Sequence, residues 1–329
     1  MSRKDAAIAA ALALAAAVAL GGLLFGDSAG AAWPGRPGPV VYVAVTPGDY
    51  RYSYETHGLR VLRPGVLGSE RQLTTDPTDS DPQVSPEGRT VVFSREVEGE
   101  GGSSVSAIFA IRIDGSGLTQ LTDGVGYGEP SFYPSGNSIA LVGPGRDGNP
   151  DLYSMSLNGS RLRPIVSTPG AERAPTVSPN GRQIAFECVP PEPHSGHQNI
   201  CSMRPDGSHR RNLTPRLGQN DEPKDPDFSP SGRLIAFSLH PGTAADIFTV
   251  RSDGSRMRAL TNRGPRGGRT YPHAVGYALP AFSPAGGSLV AVARPGNGPR
   301  VVRIKLGEPK HPQPIGAVLL GSSPIWATG

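Results

Sequence analysis

Short apolar runs of three or four residues recur along the chain, each bounded by turn residues, and they recur in a fixed order. Val84-Ser85-Pro86-Glu87-Gly88, Val177-Ser178-Pro179-Asn180-Gly181, Phe228-Ser229-Pro230-Ser231-Gly232 and Phe282-Ser283-Pro284-Ala285-Gly286 share one pattern. Phe132-Tyr133-Pro134-Ser135-Gly136 repeats it with tyrosine in place of serine. An apolar run follows each at once, as in Val91-Val92-Phe93 and Ile184-Ala185-Phe186, and a second follows a gap of variable length, as in Ile108-Phe109-Ala110-Ile111 and Ile247-Phe248-Thr249-Val250. Next comes Asp114-Gly115-Ser116, Asn158-Gly159-Ser160, Asp206-Gly207-Ser208 or Asp253-Gly254-Ser255. Asp-Gly and Asn-Gly predict tight hairpins, because both central residues of such a turn need positive φ. At a constant interval after each Asp or Asn a last short strand is expected, at Leu121-Thr122, Ile165-Val166, Leu213-Thr214 and Leu260-Thr261.

Four short antiparallel strands per unit of about 50 residues is the pattern of a propeller blade. A β-sandwich shows no such repeat. Composition agrees: 44 glycines and 35 prolines among 329 residues exclude a helical bundle, whose helices cannot absorb so many breakers. Blade number follows from the ends. Val40–Val43, Leu59–Leu62 and Gln72–Thr74 supply second, third and fourth strands without a first, and Pro324–Gly329 supplies a first strand alone. Five whole blades and one shared blade predict an all-β, six-bladed ring in which the C-terminal strand closes the first blade.

Pro-x-Phe-Ser-Pro-x-Gly, an apolar strand, Ile-Phe-x-Val, Asp-Gly-Ser and Leu-Thr together resemble the propeller repeats of the TolB family. The resemblance covers residues 39–329, and five of six repeats are clear. The last blade departs, with Leu306-Gly307-Glu308 where Asp-Gly-Ser is expected. The resemblance implies a six-bladed fold, export and a binding role by analogy. A small α/β domain precedes the propeller of TolB itself, and the few residues ahead of Pro39 leave no room for one.

The N-terminus is of another kind. Arg3 and Lys4 precede twenty uncharged residues, Ala6 to Phe25, and then small residues through Ala32. This fits a cleaved export signal, with Ala29-Gly30-Ala31 as a cleavage box, and equally a retained membrane anchor, because about 20 apolar residues span a bilayer. The expected organisation is therefore 1–31 as signal or anchor, 32–38 as linker and 39–329 as propeller. Either way the propeller is expected to be exported: secreted, periplasmic or on the outer face of the cytoplasmic membrane. A formal charge of +4 gives no warrant for nucleic-acid binding. It allows weak attraction to an anionic surface.

Strand alternation divides the connections between two faces. The Ser-Pro-x-Gly and Asp-Gly-Ser turns share a short-turn face, and the connections of variable length, such as 45–57, 95–106, 189–199 and 262–279, share a long-loop face. Tyr50, Tyr52, Tyr54, Arg269, Tyr271 and Tyr277 fall on the latter, and tyrosine and arginine are enriched at contact hot spots. Tyr127 falls there too, and Glu98–Ser104 reads as merely flexible. Asp81-Pro82, Glu129-Pro130 and Asp225-Pro226 place carboxylates around the channel mouth, with Arg173 at a corresponding position one residue earlier. Such a rim either holds a cation such as calcium, meets a basic partner segment, or caps loop amides. No other cofactor is expected.

Catalytic motifs are missing: the Gly-x-Ser-x-Gly at 26–30 lies at the export junction, without the strand and helix that a nucleophile elbow needs. Cys188 and Cys201, with His194 and His197 between them, read as a disulfide in an oxidising compartment, with a zinc site as the other reading. The expected function is a monomeric, non-enzymatic binding or scaffold propeller that engages a protein or cell-envelope component through its long-loop face. The alternative is a metal-dependent hydrolase or lactonase-like enzyme at the channel mouth.

Overall fold

A computed structural model describes residues 37–47, 54–63, 69–123, 126–190, 197–218, 221–240, 245–261, 276–294, 300–307, 313–314 and 325–328. The expected N-terminal export helix lies outside these. Six four-stranded antiparallel sheets form the predicted six-bladed propeller. Blade 1 holds β1 (Pro37–Pro47), β2 (Tyr54–Leu62), β3 (Arg71–Gln72) and, beside β1, β24 (Ile325–Thr328). Blade 2 is β4 (Ser80–Val84), β5 (Thr90–Glu98), β6 (Ser104–Arg112) and β7 (Thr119–Gln120). Blade 3 is β8 (Gly128–Phe132), β9 (Ser138–Pro144), β10 (Pro150–Ser156) and β11 (Arg163–Pro164). Blade 4 is β12 (Ala171–Val177), β13 (Ile184–Val189), β14 (Asn199–Met203) and β15 (Arg211–Asn212). Blade 5 is β16 (Glu222–Phe228), β17 (Leu234–His240), β18 (Asp246–Arg251) and β19 (Arg258–Ala259). Blade 6 is β20 (Gly276–Phe282), β21 (Ser288–Arg294), β22 (Arg300–Lys305) and β23 (Gln313–Pro314).

Each recurring motif has a local physical role. The Ser85 hydroxyl accepts from the Thr90 amide at 3.0 Å, while the Gly88 amide, at φ 72°, bonds back to the Ser85 carbonyl. Ser178, Ser229 and Ser283 repeat this with Gln183, Leu234 and Ser288. Asp114, Asn158, Asp206 and Asp253 each accept from the amide of the serine two residues on. The threonines just beyond the fourth strands reach inward, where Thr74, Thr122, Thr214 and Thr261 accept from the amides of Leu59, Ile108, Ile200 and Ile247. These are buried amides that would otherwise lack a partner, since the two-residue fourth strands are too short to pair them.

Packing between blades is apolar at every seam. Phe93 of blade 2 packs with Val41 and Leu59 of blade 1, and Phe132 of blade 3 packs with Val92 and Ile108 of blade 2. Phe186 joins Val142 and Leu152, Phe228 joins Ala185 and Ile200, and Phe282 joins Ala236 and Ile247. Val290 of blade 6 packs with Val40, Tyr42 and Ala44 of blade 1. Among the described residues no helix is long and apolar enough to cross a membrane.

Two loop expectations change. Glu98–Ser104 is part of a hairpin that continues β5 and β6, with Val97 opposite Val105 and one 3-10 turn at Glu100–Gly102. Its glycines tighten the turn rather than loosening a linker. Tyr127 is buried, its ring edge-on to Tyr153 at 5.6 Å, and so packs its own blade.

Candidate functional site

The innermost strands of blades 2 to 6 break their pairing at one place. Register shifts occur between Ser80 and Gln83, Gly128 and Ser131, Arg173 and Thr176, Lys224 and Asp227, and Ala278 and Ala281. Inside each shift sits a proline, which has no amide to give to the ladder. The residue before it takes a positive φ: Asp81 49°, Glu129 51°, Ala174 47°, Asp225 55° and Leu279 55°. Left-handed backbone is unfavourable for Glu, Ala and Leu and better tolerated by Asp. Its repetition in five blades turns these residues toward the channel mouth.

One cavity of about 210 Å³ results, lined by Asp81, Glu129 and Asp225 together with Glu187 and Asp227. Arg173 is exposed and does not line it; Ala174 occupies the equivalent position, because the bulge falls one residue later than the charge. Glu187 supplies the carboxylate that Ala174 lacks, from the neighbouring strand, at the position where Ser94 and Ser238 stand in blades 2 and 5. Asp227 lies two residues beyond the bulge. A search confined to the residue before each proline misses both; aligning the second strands blade by blade would have exposed Glu187.

These carboxylates hold the next blade. Oε2 of Glu129 accepts from the Ala174 amide, Oε1 of Glu187 from the Asp225 amide at 2.9 Å, and Asp227 from the Phe282 amide at 2.8 Å. Asp225 likewise accepts from the Leu279 amide. Serine does the same where no carboxylate is present, the Glu129 amide bonding to Ser94 Oγ at 3.0 Å. Amide capping is thus a role these groups perform. Among the described residues no group of three or more His, Cys, Asp or Glu is placed to hold a metal ion.

Electrostatically the mouth is under tension. Burial pushes the Glu187 carboxyl up to about 8, against its hydrogen bond from Asp225 N, with the nearby Asp225 and Glu129 carboxyls adding to the rise. Burial pushes Asp227 up to about 7. Asp81, Glu129 and Asp225 are raised from the same first cause. A carboxyl whose folded value exceeds its unfolded one, near 4, favours folding when protonated, and that contribution is lost as pH rises through the folded value. Stability is therefore expected to fall as pH rises from 5 to 9, with Glu187 and Asp227 the main contributors. Asp227→Asn and Glu187→Gln should flatten the dependence. Urea unfolding at the two pH values checks this, and equal pH slopes in wild type and variants would count against it.

Of the expected partner contacts, Tyr277 is a correction. It is 3% exposed and belongs to the cluster of Phe282, Leu289 and Val302, so it is no surface anchor. β20 begins earlier than its sequence suggests and carries Tyr277 into the blade. Tyr54 opens β2. The Tyr54 side chain, and all of Tyr50, Tyr52, Arg269 and Tyr271, lie outside the described residues.

Cys188 and Cys201 are joined across β13 and β14, with a Cα–Cα distance of 5.9 Å, and both are buried beside Phe186. Neither sulfur is left as a zinc ligand.

Residues 79–270 match the family described as the TolB beta propeller domain. A Tol-Pal system protein TolB of Anaeromyxobacter dehalogenans is 29% identical over 137 residues, 41% of this chain and 28% of that relative's length. The match thus spans less than a third of that protein. Among solved structures, TolB of Acinetobacter baumannii superimposes with a TM-score of 0.67 at 19% identity, over 89% of this chain and 67% of that one. A puromycin-hydrolyzing peptidase of Mycobacterium tuberculosis gives 0.54 at 16%, over 84% and 46%. At such identities the structural likeness is one of fold.

Proposed function

We propose, from the premise that the chain belongs to the TolB beta propeller domain family, that it is an exported binding propeller whose long-loop face receives a protein or cell-envelope partner. A binding or scaffold role in general goes with the family. The partner reading rests on one observation: five carboxylates converge on a single concave mouth at that face. Burial holds these carboxyls toward the neutral form, and a cation beside them favours the charged one, so a partner presenting a lysine- or arginine-bearing segment is the complementary one. Export rests on the basic, apolar and small-residue order of residues 3–32.

Crosslinking in intact cells followed by mass spectrometry identifies the partner. Titration then compares Tyr52→Ala, Tyr271→Ala and Asp81→Asn with the short-turn variants Glu87→Gln and Ser231→Ala. Each true anchor should cost about 2 kcal/mol of affinity. The short-turn changes should leave binding unaltered, because exposed substitutions away from a contact have little effect. Equal losses from both faces, or losses from the short-turn face alone, would refute this reading.

A further inference from the structure

The short-turn face of blades 3 to 5 is basic in a way that the fold does not use. Arg161, Arg182, Arg204, Arg211, Arg256 and Arg258 are all exposed at the strand ends and turns there. None takes part in an ion pair among the described residues. The acidic groups alongside, Asp206 and Asp253, are engaged by the amides of Ser208 and Ser255 in their own turns. Arg182, Arg204 and Arg211 line a cavity of about 370 Å³ with His209, and no carboxylate lines it. Met257, between Arg256 and Arg258, is one of the exposed large apolar side chains.

Backbone geometry gives a second observation. After the Asp-Gly-Ser turn of blade 2, Gly117 takes φ 70°, a conformation glycine adopts freely. The equivalent residues of blades 3, 4 and 5 are Arg161 at 59°, His209 at 57° and Arg256 at 55°. Basic side chains are held in a left-handed position that favours glycine, on three successive blades and without a partner carboxylate.

The third observation is where the chain enters. β1 runs with Val40 opposite Leu62 and Pro47 opposite Tyr54, so its Pro47 end meets the connection to β2 on the long-loop face. Its first residue, Pro37, therefore lies on the short-turn face. The uncharged stretch Ala6 to Phe25 precedes Pro37 by about a dozen residues, a short tether for a chain of this kind.

We infer that the short-turn face docks on an anionic lipid bilayer, the one in which residues 6–25 are held. Phosphate groups of the headgroups meet the arginines, Met257 enters the interface, and the acidic mouth faces away from the membrane. This holds whichever partner occupies the opposite face.

The test uses the full chain reconstituted in vesicles of phosphatidylcholine, alone or partly replaced by phosphatidylglycerol. Arginine modification by phenylglyoxal is mapped by mass spectrometry. Labelling of Arg161, Arg204, Arg256 and Arg258 should slow about tenfold or more in the anionic vesicles, and high salt should restore it. Arg146 and Arg216, on the long-loop face, should label equally in both. Combining Arg182→Gln with Arg211→Gln should lower the docked-to-free ratio roughly thirtyfold and release Arg256 and Arg258, whereas Arg146→Gln with Arg216→Gln should not. Equal labelling in neutral and anionic vesicles would overturn the inference. So would protection confined to the long-loop face, or release by inorganic phosphate at constant ionic strength, which would mark a small-anion pocket instead.

Discussion

Removal of residues 322–329 is expected to lower the melting temperature by about 10 °C or more and to make the protein aggregate. β24 lies antiparallel to β1, with Ile325 opposite Val41 and Trp326 opposite Val40. Val40, Val41, Tyr42, Val43 and Ala44 are all buried. Without its inner partner, the backbone edge of β1 loses its ladder, and the seam between Val290 and the Val40–Tyr42 side opens to water. Re-exposing three such side chains costs about 6 kcal/mol, at about 2 kcal/mol for each. An open sheet edge would also offer itself to other chains. Scanning calorimetry and size-exclusion chromatography of the truncated chain check this. An unchanged melting temperature with a monomeric elution profile would mean that the C-terminal strand does not close the ring.

Loss of the Cys188–Cys201 bridge should cost about 3 kcal/mol, the chain-entropy value for a loop of roughly a dozen residues. The bridge connects neighbouring strands, Cys188 opposite Asn199 and Cys201 opposite Phe186. Both cysteines are nearly inaccessible, at 3% and 5% exposure. Alkylation is therefore expected only after reductant and denaturant are applied together. The paired replacement Cys188→Ala with Cys201→Ala should unfold at a lower urea concentration with an unchanged m-value. Stoichiometric alkylation of the native, unreduced protein would overturn the bridge, as would unaltered stability of the paired variant.

The repeat was legible because turn chemistry is local. Ser85, Gly88, Asp114 and Thr122 each act within their own blade, through bonds that recur at the same spacing, so a single chain carries each signal four or five times over. Blade number came from counting incomplete units at the two ends. The mouth was less legible, because its geometry depends on a bulge rather than on a strand. A bulge shifts side-chain direction by one residue, which is why Arg173 was expected where Ala174 stands. Glu187 is less legible because its counterparts, Ser94 and Ser238, are hydroxyls that bond within or between blades. Tyr277 is hard to place for a related reason: a tyrosine near a strand boundary reads as surface until the strand start is known.

The amide clasps at the channel mouth all run in one rotational sense. Among the described residues, a side chain of each of blades 2 to 5 grips the backbone of the blade that follows, from Ser94 to Glu129, Glu129 to Ala174, Glu187 to Asp225 and Asp225 to Leu279. The groups that would greet a cationic visitor are thus the stitches of the ring. Any charge that draws Glu129 or Glu187 toward the channel axis takes a bond from the neighbouring blade. Occupancy of the mouth would in this way be reported at the rim, in the spacing of blades that the visitor never touches.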